Sequence, residues 1–396
     1  MKNRKLTKSD TSVLSTAPRR TLLSYKNKRM RFGIIAIIVI SVVFVLHYII
    51  RFDKESIPAH QNVKVIPEVY ITEGNRFDNI DSVVALQIEN NHRIIATAKK
   101  TGSLFIYDLE NGRLISQITE TGTIMSRPNG IASFPDKNII VIVERDGHKC
   151  QLISYPDFRS IATFGQSDLK RPYGAAVRKI RDNVYHIYVT DNYMDLEYSE
   201  KHKEMKYKKL PPDSQLGQRV KLYEVTTLEG NYNIKLIHQF GETTGEGVLH
   251  VVESIMVDEP NNRLLIADEH TNHLDVKIYD LNTHQFGGHI IGKEPIKFES
   301  DPEGFVTFNC PNYESKGWYF LTDQLSTLTK FHIIDRSTLH YVGTFTGETT
   351  KKTDGVAISQ VPLKDYKQGL FLAVHDDSKV SAFSNQHILD VMGLKC

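Results

Sequence analysis

A repeat recurs six times along most of this chain. Short segments that begin with a polar side chain and continue with small residues read IDSVVAL, PNGIASF, PYGAAV, VESIMV, PEGFVTF and TDGVAIS. Their polar residues lie 48, 44, 80, 50 and 51 positions apart: Asp81, Asn129, Tyr173, Glu253, Glu303 and Asp354. Each segment precedes β-branched and aromatic runs that are separated by polar turns. A period of about 40–50 residues with several strands per unit is typical of propeller blades. The sequence therefore predicts an all-β fold, a six-bladed β-propeller.

The small-residue strands are expected to be innermost, where the blades converge and space is least. The polar residue that begins each of them would then lie at one mouth of the central channel. A second polar series closes the following strand of each unit: Lys99, Arg145, Asp191, Glu269, Gln324 and Asp376. An antiparallel hairpin can bring the two series together across the mouth, although the sequence does not fix the rim that each occupies.

The carboxylates of these two series predict a calcium site. Ca²⁺ takes six to eight oxygen ligands, whereas zinc prefers the His and Cys side chains that the two series largely lack. Lys99 and Arg145 suit a phosphate, and attack of water on a phosphate ester is a reaction that such groups serve. The alternatives are that the acids are ordinary turn residues and that Arg145 forms a surface ion pair.

The N-terminal region differs from the rest in charge and hydropathy. Of 49 basic and 47 acidic residues, eleven basic and one acidic lie within 1–51, so the body carries 38 basic against 46 acidic side chains. The uncharged run Phe32–Ile50 is 19 residues long, nearly enough to span a bilayer. We expect a cytoplasmic tail (1–31), an uncleaved transmembrane anchor (32–50), a stalk (51–63) and a propeller (64–396) outside the cytoplasm, in the periplasm or the extracellular space. The acidic body argues against nucleic acid as a partner.

Two further features carry weaker signals. The three cysteines Cys150, Cys310 and Cys396 have no metal-binding spacing, and we predict neither a zinc site nor a disulfide framework from them. The third unit contains a polar excess, residues 195–218, which we interpret as a solvated loop, with a lid or docking segment as the alternative.

A set of motifs in this order resembles the β-propeller phytases, which are calcium-dependent secreted phosphatases. The similarity spans roughly Arg76 to Leu394 and is closest to a divergent phytase-like branch. The motifs are RPNGIA, VERDGH, RPYG, VTDNY, GEGVLHVVES, DPEG, DRSTL, TDG and AVHDD. The resemblance implies a six-bladed propeller whose loops form the active face.

The resemblance also implies roles for individual residues. Lys99 and Arg145 match phosphate-contacting positions, and Tyr173 matches a tyrosine that contacts substrate. The positions that match calcium ligands or residues that orient water are Glu253, Glu269, Glu303, Gln324 and Asp354. The family's D-D-P-A-x-W signature is reduced to DSVVAL, and no lysine occupies the family's position in VTDNY. These departures favour an alternative in which the propeller binds a ligand or protein without catalysis.

We therefore expect a membrane-anchored, calcium-dependent phosphomonoesterase that acts on phytate or another phosphorylated small molecule. The expected catalytic residues are Glu253, Glu303 and Asp354, and the substrate-binding residues are Lys99, Arg145 and Tyr173. The expected metal ligands are Asp81, Glu253, Glu269, Glu303, Gln324 and Asp354. Besides the binding propeller, a calcium-dependent lactonase or esterase is an alternative, since such propellers also carry a ring of Glu, Asn and Asp.

Overall fold

Six antiparallel sheets surround a central channel in the computed structural model, which describes residues 63–88, 91–122, 125–228 and 230–396. The predicted tail and anchor, and all of the predicted stalk except Val63, lie outside these residues. Among the helices of the described part, none has the length and apolar character needed to cross a bilayer. The six-bladed propeller is confirmed by the order and pairing of the strands.

Two short strands come first, β1 (Lys64–Val65) and β2 (Tyr70–Ile71). Blade I contains β3 (Ile80–Ile88), β4 (Asn91–Ala98), β5 (Ser103–Asp108) and β6 (Leu114–Ile118). Blade II contains β7 (Pro128–Ser133), β8 (Ile139–Glu144), β9 (Lys149–Ser154) and β10 (Ser160–Phe164). Blade III contains β11 (Pro172–Arg181), β12 (Val184–Asp191), β15 (Val220–Leu228) and β16 (Asn231–Phe240), with a hairpin of β13 (Asp195–Ser199) and β14 (Glu204–Lys209) inserted between β12 and β15.

The second half of the chain repeats this plan. Blade IV contains β17 (Val252–Asp258), β18 (Arg263–Asp268), β19 (Asp275–Asp280) and β20 (Phe286–Ile291). Blade V contains β21 (Pro302–Cys310), β22 (Tyr313–Asp323), β23 (Lys330–Asp335) and β24 (Tyr341–Thr346), and blade VI contains β25 (Val356–Ser359), β26 (Leu370–His375) and β27 (Lys379–Ser384). The helix α1 (Asn385–Met392) follows, and 3₁₀ turns occupy Asp213–Gln215 and Glu259–Asn261.

The apolar core lies between neighbouring blades. Strand β8, with the sequence IIVIVE, is buried at every position because a blade packs against each of its faces. The outermost strand β16 instead alternates between exposed and half-buried residues over most of its length, as expected for a strand with one face in solvent. The gradient from apolar middle strands to mixed outer strands explains why the middle strands were the clearest in the sequence.

The innermost strands approach one another so closely that only small residues fit. A Cβ atom on Gly174 would lie 2.3 Å from the carbonyl oxygen of Glu253 in the next blade. The Gly355 amide donates to the carbonyl of Asp81 at 2.8 Å, which ties the last blade to the first. The six inner strands enclose a channel of about 400 Å³. The small residues therefore fix the backbone positions from which the mouth residues project.

The two ends of the described chain close the ring together. Strand β2 pairs antiparallel with β27 and supplies the fourth strand of blade VI, while β1 adds to β24 of blade V. At the other end α1 is capped by Ser384, whose hydroxyl accepts from the His387 amide. Strands from both ends of the described chain therefore complete blade VI, which closes the ring.

The prediction that the three cysteines give no disulfide framework was wrong for two of them. Cys310, at the end of β21, forms a disulfide with Cys396, which lies beyond α1, and Cys150 is free and buried. The partners are 86 residues apart in sequence, so no local spacing pattern could reveal the pair. The disulfide fixes the C-terminal segment to the inner strand of blade V.

Candidate functional site

The first polar series forms a ring at one mouth of the channel. Five of its six members are the second residue of an inner strand: Asp81, Asn129, Tyr173, Glu253 and Glu303. Asp354 lies two residues before β25. Because the inner strands all run in the same direction from this mouth, the six side chains start from one rim.

The second series lies at the same mouth, as backbone hydrogen bonds show. The amide of Lys99 donates to the carbonyl of Asn79 at 2.9 Å, and that of Glu269 donates to Val251 at 2.8 Å. In each blade the acceptor comes shortly before the first-series residue. The two series are therefore neighbours at this mouth, as the sequence allowed.

Asp191 was predicted as a member of the second series, but the equivalent position in blade III is Asn192. Asp191 pairs with Pro172 and ends β12, whereas Asn192 makes the equivalent backbone bond, to the carbonyl of Arg171 at 2.9 Å. A shift of one residue turns a strand side chain to the opposite face. The Asp191 carboxylate accepts the amides of Lys170 and Arg171 instead, at 3.2 and 2.7 Å.

Asp191 belongs to a third repeated set, which sequence reasoning missed. Each member ends the second strand of its blade and accepts backbone amides from the loop before the inner strand: Glu144, Asp191, Asp268 and Asp323. These buried acids hold the mouth loops in place and are not directed to a ligand. The repeated acid at each strand end was visible in the sequence, but only the strand register separates it from the second series.

Three glutamates form the most compact acidic group at the mouth. Glu253, Glu269 and Glu303 each offer a carboxylate oxygen within 4.8 Å of the others. Within the described residues, the buried Oε1 of Glu269 has no hydrogen-bond partner. Burial and the nearby carboxylates raise the pKa of both Glu269 and Glu303 well above the usual range for glutamate. The three converging carboxylates therefore repel one another, and the positive charges of Lys99 and Arg171 offset this repulsion only in part.

The other predicted metal ligands surround Lys99. Its ammonium lies 2.5 Å from Asp81 Oδ1 and 3.1 Å from Asp354 Oδ2. The Gln324 amide donates to the remaining oxygen of Asp354, and the hydroxyl of Tyr173 donates to Asp81 at 3.4 Å. The six predicted metal ligands thus divide into the three glutamates and a second group whose charge Lys99 partly balances. The predicted phosphate contact of Lys99 competes with these two carboxylates.

The remaining basic residues lie beside the ring. Arg145 pairs with its neighbour Asp146, with Nε 3.1 Å from Oδ1. Arg171, which lies in the motif RPYG and had no predicted role, lies close enough to Arg145 and Glu253 for their charges to affect it. Burial and the charge of Arg145 lower its pKa, while Glu253 opposes that shift. Asp376, another member of the second series, pairs with Arg76.

The glutamate group fits a calcium ion by its chemistry. All three ligands are carboxylate oxygens, and ligands on opposite sides of a Ca²⁺ ion lie about 4.8 Å apart, twice the usual bond length of roughly 2.4 Å. The unpartnered Oε1 of Glu269 supplies an acceptor that a cation would satisfy. Asn192 adds a further buried oxygen, its Oδ1, that has no partner within the described residues.

The metal-free propeller is expected to lose stability as the pH rises from about 6.5 to 8.5. Burial raises the pKa of Glu253 to about 7 and that of Asp354 to about 8, whereas unfolded carboxyls titrate near 4. In this window the folded state therefore binds more protons than the unfolded state, and the free energy of unfolding falls with pH. Denaturant unfolding in a chelator measures the slope.

Calcium should flatten this slope, because the ion replaces the bound protons. Half-buried histidines such as His284, whose pKa burial lowers to about 4, act in the opposite direction, but only below about pH 6.5, which lies outside this window. The change Glu253→Gln should reduce the slope as well. A metal-free stability that rises across this window would contradict the assignment.

Comparisons with known proteins found a structural likeness but no sequence match. No protein-family model matches this chain. No curated protein sequence matches it. A chain in the crystal structure of a nidogen/laminin complex is 14% identical, with 71% of this chain and 85% of that chain covered and a TM-score of 0.46. Membership of the phytase family stays a prediction from the motifs.

Proposed function

We propose that this protein is a membrane-anchored, calcium-dependent phosphomonoesterase whose active site is the mouth of the propeller. The observation that carries the proposal is the glutamate group, Glu253, Glu269 and Glu303, with its unpartnered buried oxygen. Basic side chains lie beside it in the same mouth, so the mouth could bind both a cation and an anionic substrate. The motif resemblance to calcium-dependent phosphatases supports the same chemistry.

The residues of the mouth would have different roles in the reaction. Glu253, Glu269 and Glu303 would hold calcium, which supplies Lewis acidity and lowers the pKa of water. Lys99 and Arg171 would orient the phosphate, and Arg145 would add positive charge from the next loop. Asp354 has a pKa raised to about 8 by burial, so near neutral pH it could deliver or accept a proton. Tyr173 holds Asp81 by a hydrogen bond.

Two observations favour a location outside the cytoplasm. Basic residues precede the apolar run Phe32–Ile50, which would place the C-terminal body across the membrane. The Cys310–Cys396 disulfide is the kind of bond that persists in oxidising compartments and is rare in the cytosol. An accessibility assay with a membrane-impermeant reagent on intact cells tests this placement.

The function itself is tested with a panel of phosphate esters that includes phytate, measured with and without a calcium chelator. We expect release of inorganic phosphate that requires calcium. Carboxylate esters and lactones assayed in parallel distinguish the esterase alternative. Thermal stabilisation by calcium without turnover of any ester would replace the proposal with a non-catalytic binding propeller.

A further inference from the structure

The insertion in blade III, predicted as a solvated loop, is an ordered hairpin of β13 and β14 beside the mouth. Both strands lie between the end of β12 and the start of β15, which is the rim that carries the acidic ring. The cross-strand pairs Leu196–Tyr207 and Tyr198–Met205 are two residues apart on each strand, so they share one face. These four side chains are 47–65% exposed. The insertion therefore carries an exposed apolar ribbon within a segment that is rich in charged residues.

The hairpin forms one wall of a cavity of about 660 Å³. This volume lies within the roughly 300–1,000 Å³ range of small-molecule sites. Tyr193, Met194, Met205 and Tyr207 contribute apolar and aromatic surface to it. The wall is anchored to the mouth, because the Arg171 guanidinium donates to the carbonyl of Tyr207 at 3.3 Å.

The cavity also carries unbalanced positive charge. Arg145 is paired with Asp146, and Lys206 is paired with Glu204. Lys170 and Arg171 also line the cavity, and neither has a carboxylate ion pair among the described residues. A half-buried guanidinium without an anionic partner favours an anion.

Three of the residues that line the cavity, Lys170, Arg171 and Tyr193, are held in place before any ligand binds. The buried carboxylate of Asp191 accepts the backbone amides of both Lys170 and Arg171. The ring of Tyr193 lies between two cations, with Lys170 Nζ 4.9 Å and the Arg219 guanidinium 4.4 Å from its centre. The Tyr193 hydroxyl donates to the carbonyl of Gln215 at 2.5 Å. Such fixed partners lower the entropy cost of binding.

The geometry points to an aromatic phosphoester as the substrate class, with its aromatic group against Met205 and Tyr207 and its phosphate beside Arg171. This inference rests on the proposed function for the reaction and on the cavity for the choice of ester. Aromatic and thioether surfaces favour a flat apolar group over a polyol. Arg171 connects the two parts, since it lines the cavity and lies within electrostatic reach of Glu253.

Binding is tested without turnover by calorimetry in calcium, with phenylphosphonate and methylphosphonate as probes. We expect phenylphosphonate to bind about tenfold more tightly, because its ring is removed from water in the cavity. The double variant M205S/Y207S should remove most of that preference. The matched control L196S/Y198S removes the cross-strand partners, which do not line the cavity, and should retain it.

The outcomes separate this inference from the proposed function. Equal binding of the two phosphonates, or equal losses in both double variants, would overturn the aromatic site even if calcium-dependent phosphate release is found. Selective phenylphosphonate binding without hydrolysis of any ester would keep the site and reject the phosphomonoesterase. If turnover occurs, kcat/KM for phenyl phosphate should exceed that for glycerol 2-phosphate, and M205S/Y207S should raise KM for the former.

Discussion

Replacing Glu303 with Gln is expected to weaken calcium binding by on the order of 100-fold and to reduce phosphate release to background. The substitution keeps the shape of the side chain but removes one negative charge from a set of three converging carboxylates. Calcium affinity depends on the number of charged ligands, and each tenfold loss corresponds to about 1.4 kcal/mol. Calcium titration calorimetry and a phosphate-release assay measure the two effects.

The same variant has a second signature that a purely structural role would not produce. Removing one of several repelling carboxylates should leave the metal-free protein at least as stable as the parent at pH 8, while stabilisation by calcium is lost. A ligand present at 100 times its dissociation constant stabilises the native state by about 2.7 kcal/mol. An E303Q protein that is strongly destabilised without metal would instead indicate a structural role.

The control for this variant is Glu314→Gln. Glu314 is exposed near the start of β22, whereas the mouth is at the other end of that strand. The chemical change is the same, and we expect calcium affinity within about twofold of the parent, because an exposed charge at that distance is largely screened. Equal losses in the two variants would show that overall charge controls binding, and not the glutamate group.

Removing the disulfide by the paired changes Cys310→Ser and Cys396→Ser is expected to lower the free energy of unfolding by about 4–5 kcal/mol. In the chain-entropy model a cross-link stabilises by restricting the unfolded chain, and a closed loop of 86 residues falls near the upper part of that relation. Urea unfolding of the parent and the variant provides the measurement, and the m-value should rise in the variant because its unfolded chain is less compact. Cys396 lies beyond α1, so packing of the helix at the C-terminus should loosen first.

Cys150→Ser serves as the comparison for the disulfide variant. Cys150 is buried within β9 and forms no disulfide, so its substitution tests the cost of placing a hydroxyl in an apolar core. If the paired variant were no less stable than the parent under oxidising conditions, the cross-link would have no role in stability. Full retention of stability by the parent under strong reduction would lead to the same conclusion.

Much of the fold and the first polar series could be predicted because both follow from periodicity. Crowding near the axis requires small residues such as Gly174 and Gly355, and their regular recurrence is enough to locate the mouth residues along the sequence. The apolar middle strands were visible because both faces are buried, as in IIVIVE of β8. The sequence therefore predicts best which type of side chain occupies each repeated position of this site.

Other parts depend on information that a repeat does not contain. The error at Asp191 arose because VTDNY offers an acid one residue before Asn192, and register alone decides which side chain reaches the mouth. Strand β2 has only two residues, too few for any periodic signal, and its partner β27 is more than 300 residues away. The division of the predicted ligands around Lys99 depends on side-chain positions and not on spacing.

Some signals were present in the sequence but were not used. The alternation of Leu196 and Tyr198, then Met205 and Tyr207, has the period of two that indicates strands. In SNQHILDVMG, Ser384 is a favourable N-cap and Gly393, with φ of 66°, a favourable C-terminal stop. Both segments lie outside the repeat, so the six-fold periodicity does not predict them.

We propose that the mouth of the propeller binds calcium and a phosphate group together. A crystal structure determined with calcium and phenylphosphonate tests it most directly. We predict a calcium ion about 2.3–2.6 Å from carboxylate oxygens of Glu253, Glu269 and Glu303, with the phosphonate oxygens between that ion and Arg171. Carboxylates without an ion at saturating calcium, or a phosphonate bound away from this mouth, would contradict the account.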